Sequence, residues 1–385
     1  MSAVFDRPSI WQRATPLWRG FDGGLCLAVL LLAFAGLLTM YSSGFDSGTR
    51  FIDHGRNMLI AAVVMILVAQ VPPQRLMQAA VPMYVFGVAL LLAVAVFGLT
   101  KKGARRWLDV GLLVIQPSEI LKIVMPMMLA WWFHRREGLL RGLDFAVAGL
   151  ILLIPVALIF RQPDLGTALL VLAAGAYVIF FAGLSWRLIL PPLLLALLGI
   201  SLLIIYGSDL CAEGVDWMGL RDYQKQRVCT LLDPSLDPLG KGFHIIQGMI
   251  AIGSGGLFGK GFMMGTQTHL EFIPERTTDF IFAAFAEEFG LFGNLLLIGA
   301  YLLLVYRGLL IALQAPTLFS RLLAGSVTLI FFTYAIVNMG MVSGLLPVVG
   351  VPLPLISYGG TAMVTLGLGL GILMSVARSK RLVQS

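Results

Sequence analysis

The chain has 385 residues, of which 58% are hydrophobic and 12% are charged, and its formal net charge is +7 at pH 7. Its mean hydropathy of +0.91 is far too high for a water-soluble domain, because one core of a domain of this length could not bury so many apolar residues. Lipid is therefore the expected solvent. A water-soluble globular enzyme is excluded as a class, and no nucleic acid is expected as a partner.

Long, uniformly apolar runs such as residues 25–40 and 188–205 dominate the chain. An α-helix needs about 18 to 20 such residues to cross about 30 Å of hydrocarbon. Strands of a membrane barrel would alternate apolar and polar residues, and these runs do not. We therefore predict an all-α integral membrane protein with about ten transmembrane helices, at residues 25–43, 57–71, 79–99, 117–134, 143–160, 165–183, 187–206, 280–305, 321–346 and 357–377.

Charge predicts the orientation of these spans. An even number of spans puts both termini on one side, and the cytoplasmic side then collects 13 cations, as the positive-inside rule requires: Arg7, Arg13, Arg19, Arg75, Arg135, Arg136, Arg141, Arg187, Arg307, Arg321, Arg378, Lys380 and Arg381. The predicted organisation is a cytoplasmic tail at 1–24, transmembrane helices 1–7 at 25–206, an extracytoplasmic loop at 207–279, transmembrane helices 8–10 at 280–377 and a cytoplasmic tail at 378–385.

The loop at 207–279 is too long to lack structure of its own, so we expect short or re-entrant helices in it. Its glycine cluster at 253–265 does not match a phosphate-binding motif, which argues against a nucleotide site. The loop also holds Cys211 and Cys229, whereas Cys26 falls in the first span. Two unpaired thiols are favoured over a disulfide, which would require an oxidising compartment.

One segment breaks the charge rule. Residues 101–107 contain Lys101, Lys102, Arg105 and Arg106 followed by Trp107, and the predicted topology places them outside. One interpretation is an amphipathic stretch on lipid headgroups with Trp107 at the interface. The other is a cationic pocket for an anionic, phosphate-bearing substrate.

Few ionisable residues fall within or at the ends of the spans, and each is a functional candidate because its burial is costly. Glu119 and Lys122 lie three residues apart on one helical face and can pair, as an internal salt bridge or as a substrate contact. Asp164 is expected to cap a helix. Glu287 and Glu288 lie too deep for headgroups and need partners that the sequence does not identify.

Asp279 ends the long loop and begins the eighth span. A partly desolvated carboxylate at the outer membrane boundary suits general-base chemistry. Aspartate is also a preferred helix cap. Composition and spacing leave both roles open.

The C-terminal part of the chain carries a distinctive set of residues: Asn338, Gly344, Leu345, Pro347, Gly350, Leu355, Ile356, Ser357, Tyr358, Gly359, Gly360 and Thr361. With these, the chain resembles the SEDS family of bacterial shape, elongation, division and sporulation proteins over about residues 25–378. Residues 348–354 and 265–267 resemble the elongation branch more than the division branch. The loop at about 207–222 is longer than the family pattern. Supporting blocks lie at 103–107, 116–119 with Lys122, 162–167, 233–240, 252–256 and 270–279.

The resemblance implies a peptidoglycan glycosyltransferase of the bacterial inner membrane that polymerises lipid II at the outer face during cell elongation and releases undecaprenyl diphosphate. It also implies two partners, a class B penicillin-binding transpeptidase and the elongation machinery. Such chemistry needs a base for the attacking hydroxyl and a clamp for the diphosphate.

Asp279 is the predicted base, and Arg105, Arg106 and Lys122 are predicted to neutralise the diphosphate. Trp107 is predicted to pack on a sugar or isoprenoid, and Glu119 to orient Lys122. No cofactor is evident. A divalent cation is compatible with this chemistry, although no dedicated ligand cluster is visible.

Two other classes of function compete with this hypothesis. A lipid II flippase or transporter would also carry helices broken by glycine and proline, as at 347–360. No inverted repeat is apparent, however, and the ionisable residues gather at the outer boundary instead of the midplane. A scaffold for the transpeptidase would leave the outer cations and Asp279 unexplained.

Overall fold

The computed structural model describes residues 20–46, 48–101, 104–109, 114–138, 140–212, 215, 222–237, 240–273 and 275–384. Most of the predicted N-terminal tail lies outside these residues. Within them, ten long helices carry the fold: α1 (Gly23–Ser43), α2 (Arg50–Ala69), α3 (Pro73–Phe97), α4 (Pro117–His134), α5 (Gly142–Arg161), α6 (Leu165–Phe181), α7 (Trp186–Ile205), α12 (Ile281–Leu313), α13 (Leu318–Val342) and α14 (Gly360–Gln384).

These helices coincide with the ten predicted spans. Of the helices in the described residues, eight are long and apolar enough to cross a membrane. The other two are α4, which carries a buried charge pair, and the 17-residue α6. The predicted all-α membrane fold is confirmed. The second helix begins seven residues before its predicted span, because a polar turn containing the Arg56–Asp53 ion pair (3.0 Å) extends it beyond the apolar run.

Small residues let the helices approach closely. Gly367 and Gly371, one turn apart on α14, face α2, and a Cβ atom at Gly367 would lie 2.4 Å from the carbonyl oxygen of Ala61. Close backbone contact of this kind is a main source of helix association in lipid, where apolar burial alone favours no helix pair. The contact holds the C-terminal helix against α2.

The cationic segment forms a small sheet that the sequence did not predict. Strand β1 (Leu99–Lys101) pairs antiparallel with β2 (Ala104–Asp109), which in turn pairs antiparallel with β3 (Val114–Ile115). The hairpin follows directly after α3. Its strand β2 carries Arg105, Arg106 and Trp107. An extended strand directs successive side chains to opposite faces.

The described part of the segment between α7 and α12 contains four helices, α8 (Gly207–Leu210), α9 (Asp222–Leu232), α10 (Lys241–Ser254) and α11 (Thr266–His269), and a 3₁₀ turn at Pro234–Leu236. A disulfide joins Cys211 to Cys229. The expectation of two unpaired thiols was therefore wrong. Folding brings the end of α8 against α9, a proximity that 18 residues of sequence separation do not reveal.

The long helix α12 is broken at Gly290, whose backbone has φ 62° and ψ −162°. The loop at 255–261 enters the break. The N–H groups of Lys260 and Gly261 donate to the carbonyls of residues 287 and 288 (3.0 and 3.1 Å), and the N–H groups of residues 291 and 292 donate to the carbonyls of residues 256 and 257 (2.9 and 3.0 Å). A Cβ at Gly259 would lie 2.0 Å from the Glu288 carbonyl oxygen, so only glycine fits there. This close contact explains why glycine occupies position 259 in the cluster at 253–265.

The disulfide provides a test of topology. With Cys26 replaced by serine, the chain has only the two bonded cysteines. We expect a membrane-impermeant maleimide to label intact spheroplasts only after treatment with a reductant, because a disulfide has no thiolate to react. The measurement is the mass added to the protein. Labelling without reductant would contradict the disulfide, and labelling that also requires lysis would contradict an outward-facing loop.

Candidate functional site

Asp279 lies just before the N-terminal end of α12, and hydrogen bonds hold the backbone around it. Three consecutive carbonyls, those of residues 277–279, lie outside the helix and cannot be satisfied by it. The first accepts the backbone N–H of Tyr358 at 2.9 Å, the second accepts the hydroxyl of Ser357 at 2.7 Å, and the third accepts the side-chain amide of Asn338 at 2.9 Å. All three donors belong to the distinctive C-terminal set of residues.

The surroundings of the Asp279 carboxylate also come from that set. Gly350, with φ 73°, lies so close that a Cβ there would sit 3.4 Å from one carboxylate oxygen. The N-cap position of α12 is held by Phe280, so Asp279 stands one residue before it and does not occupy the predicted cap position. Its side chain is half-buried.

Arg276, which the sequence did not single out, anchors the same segment. Its side chain is 5% exposed and contacts Asp46 at 2.8 Å and Glu271 at 3.4 Å, while its Nε donates to the Ser43 carbonyl at 2.9 Å. Burial raises the pKa of Asp46, but the hydrogen bond and charge of Arg276 outweigh this and leave that pKa below its usual value. Its place in the turn before Asp279 was the only available sequence signal.

The two predicted arginines of β2 have different surroundings. Arg106 donates to the Pro163 carbonyl at 2.6 Å and lies 3.7 Å from the Asp164 carboxylate. Arg105 is exposed and donates to the Ala95 carbonyl at the end of α3 (3.1 Å). Trp107 is partly buried. Only Arg106 therefore faces the start of α6.

Asp164 organises the start of α6. One carboxylate oxygen accepts the Thr167 N–H at 3.2 Å, which confirms the predicted helix cap. The other accepts the side-chain amide of Gln116 at 2.8 Å. Because it also lies beside Arg106, this residue connects β2, α4 and α6 at one point.

Glu119 and Lys122 form a buried ion pair on α4. The Lys122 ammonium donates to Glu119 at 2.6 Å and to the Tyr334 hydroxyl of α13 at 2.7 Å, and its side chain is only 2% exposed. Two strong acceptors therefore already engage this cation. The geometry favours the internal salt bridge over direct contact with a substrate.

A continuous series of contacts brings these groups to one end of the bundle. From Arg106 the series passes through Asp164 to Gly166, where a Cβ would lie 2.6 Å from the Val349 carbonyl oxygen. The next residue, Gly350, contacts the Asp279 carboxylate. Contacts through the loop at 349–351 thus connect the predicted cation to the predicted base.

Helix α13 provides a second connection. Tyr334 and Asn338 lie one turn apart on the same face of this helix. Tyr334 accepts from Lys122, and Asn338 donates both to the Asp279 carbonyl and to the Val351 carbonyl (2.7 Å). The sequence assigned neither residue to the site.

The structure supplies partners for the two deep glutamates. Glu287 accepts five hydrogen bonds, from the ammonium of Lys260 (2.7 Å) and from backbone and hydroxyl groups of residues 266–268 (2.9–3.2 Å). Glu288 accepts the hydroxyl of Ser42 on α1. Both residues fasten the inserted loop and α1 to the broken helix α12. Among the described residues, no group of three or more His, Cys, Asp or Glu side chains has a metal-holding arrangement.

The chain matches one protein family and resembles individual proteins of known name. A family model named FTSW_RODA_SPOVE and described as "Cell cycle protein" matches residues 24–382. Peptidoglycan glycosyltransferase MrdB of Escherichia coli (strain K12) is 46% identical over 360 residues, which cover 93% of this chain and 94% of the relative. Peptidoglycan glycosyltransferase RodA of Treponema pallidum is 33% identical over 92% of this chain and 97% of the relative.

Two solved structures share the fold. One, described as structural coordination of polymerization and crosslinking by a peptidoglycan synthase complex, aligns with a TM-score of 0.77 and 34% identity over 94% of this chain and 99% of that chain. The other, the rod shape determining protein RodA of Thermus thermophilus, aligns with a TM-score of 0.69 and 30% identity over 94% and 98%. The family match, the relatives and the shared fold agree with the resemblance that the C-terminal set of residues carries, and the chain belongs to the FtsW/RodA/SpoVE family of membrane proteins.

Proposed function

We infer that this chain is a peptidoglycan glycosyltransferase, and we propose that it polymerises lipid II at the outer face of the bacterial inner membrane. Curated relatives at 46% and 33% identity carry the enzyme name. The observation that carries the mechanism is the half-buried Asp279 carboxylate, held on a clamped backbone and joined through one loop to a cationic strand.

In the proposed reaction, the 4-hydroxyl of the acceptor sugar attacks the anomeric carbon of the donor. The new carbon–oxygen bond forms as the bond from that carbon to the diphosphate oxygen breaks. The Asp279 carboxylate takes the hydroxyl proton, and undecaprenyl diphosphate leaves with the bonding electrons.

Arg106 is the proposed diphosphate ligand. It lies on the face of β2 toward the site, and its planar guanidinium suits phosphate oxygens. Arg105 faces the end of α3 and is proposed to contact headgroups together with Trp107. Lys122 and Glu119 are proposed to stabilise the site from inside the bundle instead of touching substrate. No step is assigned to a metal ion.

The proposed orientation puts both termini in the cytoplasm and the site outside. The disulfide at the end of α7 lies on the same side as Asp279, and disulfides persist in oxidising compartments. The opposite ends of the helices carry cations, among them Arg307, paired with Asp22, and Arg136, paired with Asp144 at 2.7 Å. A class B penicillin-binding transpeptidase is the proposed partner, in keeping with the synthase complex of similar fold.

The broken helix α12 is the feature that most favours a flippase, because transporters use such breaks to bind substrates. Here the inserted loop already satisfies the backbone groups of the break, and Glu287 uses both carboxylate oxygens in hydrogen bonds. The inserted loop therefore holds the two halves of α12 in one arrangement. We regard transport as the less supported function.

Asp279→Asn tests the proposed base. Asparagine keeps the size and the backbone clamp but accepts no proton at neutral pH, so polymer formation should fall by about a hundred- to ten-thousand-fold. The measurement is glycan polymer from labelled lipid II on gels, with purified protein and its partner, and with moenomycin present to silence contaminating synthases. Asp209→Asn, an exposed change on the same side, should be neutral. Polymerisation by the Asp279 variant at the parent rate would remove this residue from the mechanism.

Arg106→Gln and Arg105→Gln form a matched pair on one strand. Loss of a charge-assisted contact to diphosphate, about 1.5 to 3 kcal/mol, predicts a kcat/KM for lipid II lowered about 10- to 100-fold for Arg106→Gln. Arg105→Gln should change it less than about threefold, within the range of an exposed surface contact. Protein abundance in the membrane is recorded for both. Equal effects of the two changes would contradict the assignment of the diphosphate contact to Arg106, on one face of β2.

Lys122→Met tests the structural role of the buried pair. Removing one partner leaves Glu119 buried without its counter-charge, which costs about 3 to 5 kcal/mol. The double change Glu119→Gln with Lys122→Met should recover most of this loss, measured as the midpoint of thermal unfolding in detergent. It should also retain polymerisation. A stable but inactive double variant would instead return Lys122 to direct contact with the substrate.

A further inference from the structure

Asn338 is fully buried in α13, and its side-chain amide nitrogen bonds to two other segments of the chain. Its amide nitrogen donates one hydrogen bond to the Asp279 carbonyl at 2.9 Å and another to the Val351 carbonyl at 2.7 Å. Both amide hydrogens are therefore used. A single side chain fixes the distance between the turn before α12 and the loop that contains Gly350.

Ser357 makes a similar link through its hydroxyl. The Leu353 N–H donates to the hydroxyl oxygen at 2.7 Å, and the hydroxyl donates onward to the Thr278 carbonyl at 2.7 Å. The side chain is buried, and so water does not replace either bond. Asn338 lies on α13 and Ser357 lies in the loop before α14, and the two side chains bond to the carbonyls of adjacent residues, 279 and 278.

Neither contact is needed to form a helix. The three carbonyls at 277–279 precede α12, and in a soluble protein such groups are commonly left to water. Here they are directed inward and paired one by one. The result of this arrangement is that the Cα atom of Asp279 has little freedom relative to Gly350, the residue nearest its carboxylate.

We propose that Asn338 and Ser357 are positioning residues for the Asp279 carboxylate. This proposal rests on the proposed function, because it requires Asp279 to be the base. A misplacement of about 1 Å can cost about a hundredfold in rate, and the carboxylate has its backbone held by these two side chains. Two residues of the C-terminal set then orient the Asp279 carboxylate, which lies 59 residues before Asn338.

Four single changes test the proposal in the purified complex. Asn338→Leu removes both donated hydrogen bonds, and Ser357→Ala removes the bond donated to the Thr278 carbonyl together with the bond accepted from the Leu353 N–H. Each should lower kcat about 10- to 100-fold with KM for lipid II changed less than about twofold. Asn294→Leu, a buried asparagine on α12 outside the clamp, is the matched control for placing leucine inside the bundle, and its kcat should stay within twofold. Ser357→Thr keeps the hydroxyl and should restore most of the activity lost in Ser357→Ala.

A double-mutant cycle separates positioning from general damage. In the Asp279→Asn background, Asn338→Leu should reduce the residual rate by less than about twofold, because the group that it positions is already absent. Full additivity of the two losses would overturn the proposal, as would a normal kcat for both Asn338→Leu and Ser357→Ala. If Asn338→Leu does not fold, Ser357→Ala and its threonine rescue decide alone.

The same series distinguishes the two levels of inference. Parent-like activity of Asp279→Asn would overturn the assigned base and the positioning role together. Loss of activity in Asp279→Asn with normal activity in both clamp variants would leave the proposed function intact and reject only the positioning role. The pH dependence of kcat adds a readout that packing damage does not move: its acid limb should shift in Asn338→Leu and not in Asn294→Leu.

Discussion

The architecture depends on four backbone hydrogen bonds at the break in α12. In hydrocarbon, each unsatisfied N–H or carbonyl costs several kcal/mol, so a helix can be interrupted only where other protein groups replace its lost bonds. Here the loop at 255–261 replaces them, with glycine at the points of closest approach. From this loop the chain continues through α11 and Arg276 to the N-terminal end of α12, where Asp279 lies.

The site combines two strategies for charge. Charges inside the bundle are matched by nearby partners: Lys122 by Glu119 on the same helix and by Tyr334 on α13, and Glu287 by Lys260 of the inserted loop. Buried ion pairs of this kind contribute little net stability but make their location specific. Arg106 and Asp279, by contrast, are only partly buried, as general acid–base or phosphate chemistry requires. This division agrees with the proposed roles, in which buried pairs hold the site and partly exposed groups meet the substrate.

Much of the fold was predictable because hydropathy reports burial in lipid directly. The ten spans, the cap at Asp164 and the one-face pairing of Glu119 with Lys122 all depend on local sequence. The unpredicted features depend on distant contacts. The hairpin of β2 carries no strand-like alternation, the partners of Glu287 lie 19 to 27 residues away, and the Cys211–Cys229 bond forms only when α8 meets α9. Asp279 was predicted from its place at a boundary, whereas the hydrogen bonds that hold its backbone come from residues 59 and more positions away, which no local pattern reveals.

The clamp also gives the C-terminal set of residues a physical meaning. Asn338 and Ser357 act through their side chains, Tyr358 through its N–H, and Gly350 through the absence of a side chain next to the carboxylate. A residue set that serves one backbone position through four different kinds of contact tolerates few alternatives, since each contact fails for a different physical reason. Replacing the glycine introduces a Cβ 3.4 Å from the Asp279 oxygen at a φ that side chains disfavour, whereas replacing the asparagine leaves two carbonyls unsatisfied. The geometry around one carboxylate therefore accounts for these four residues of the C-terminal set.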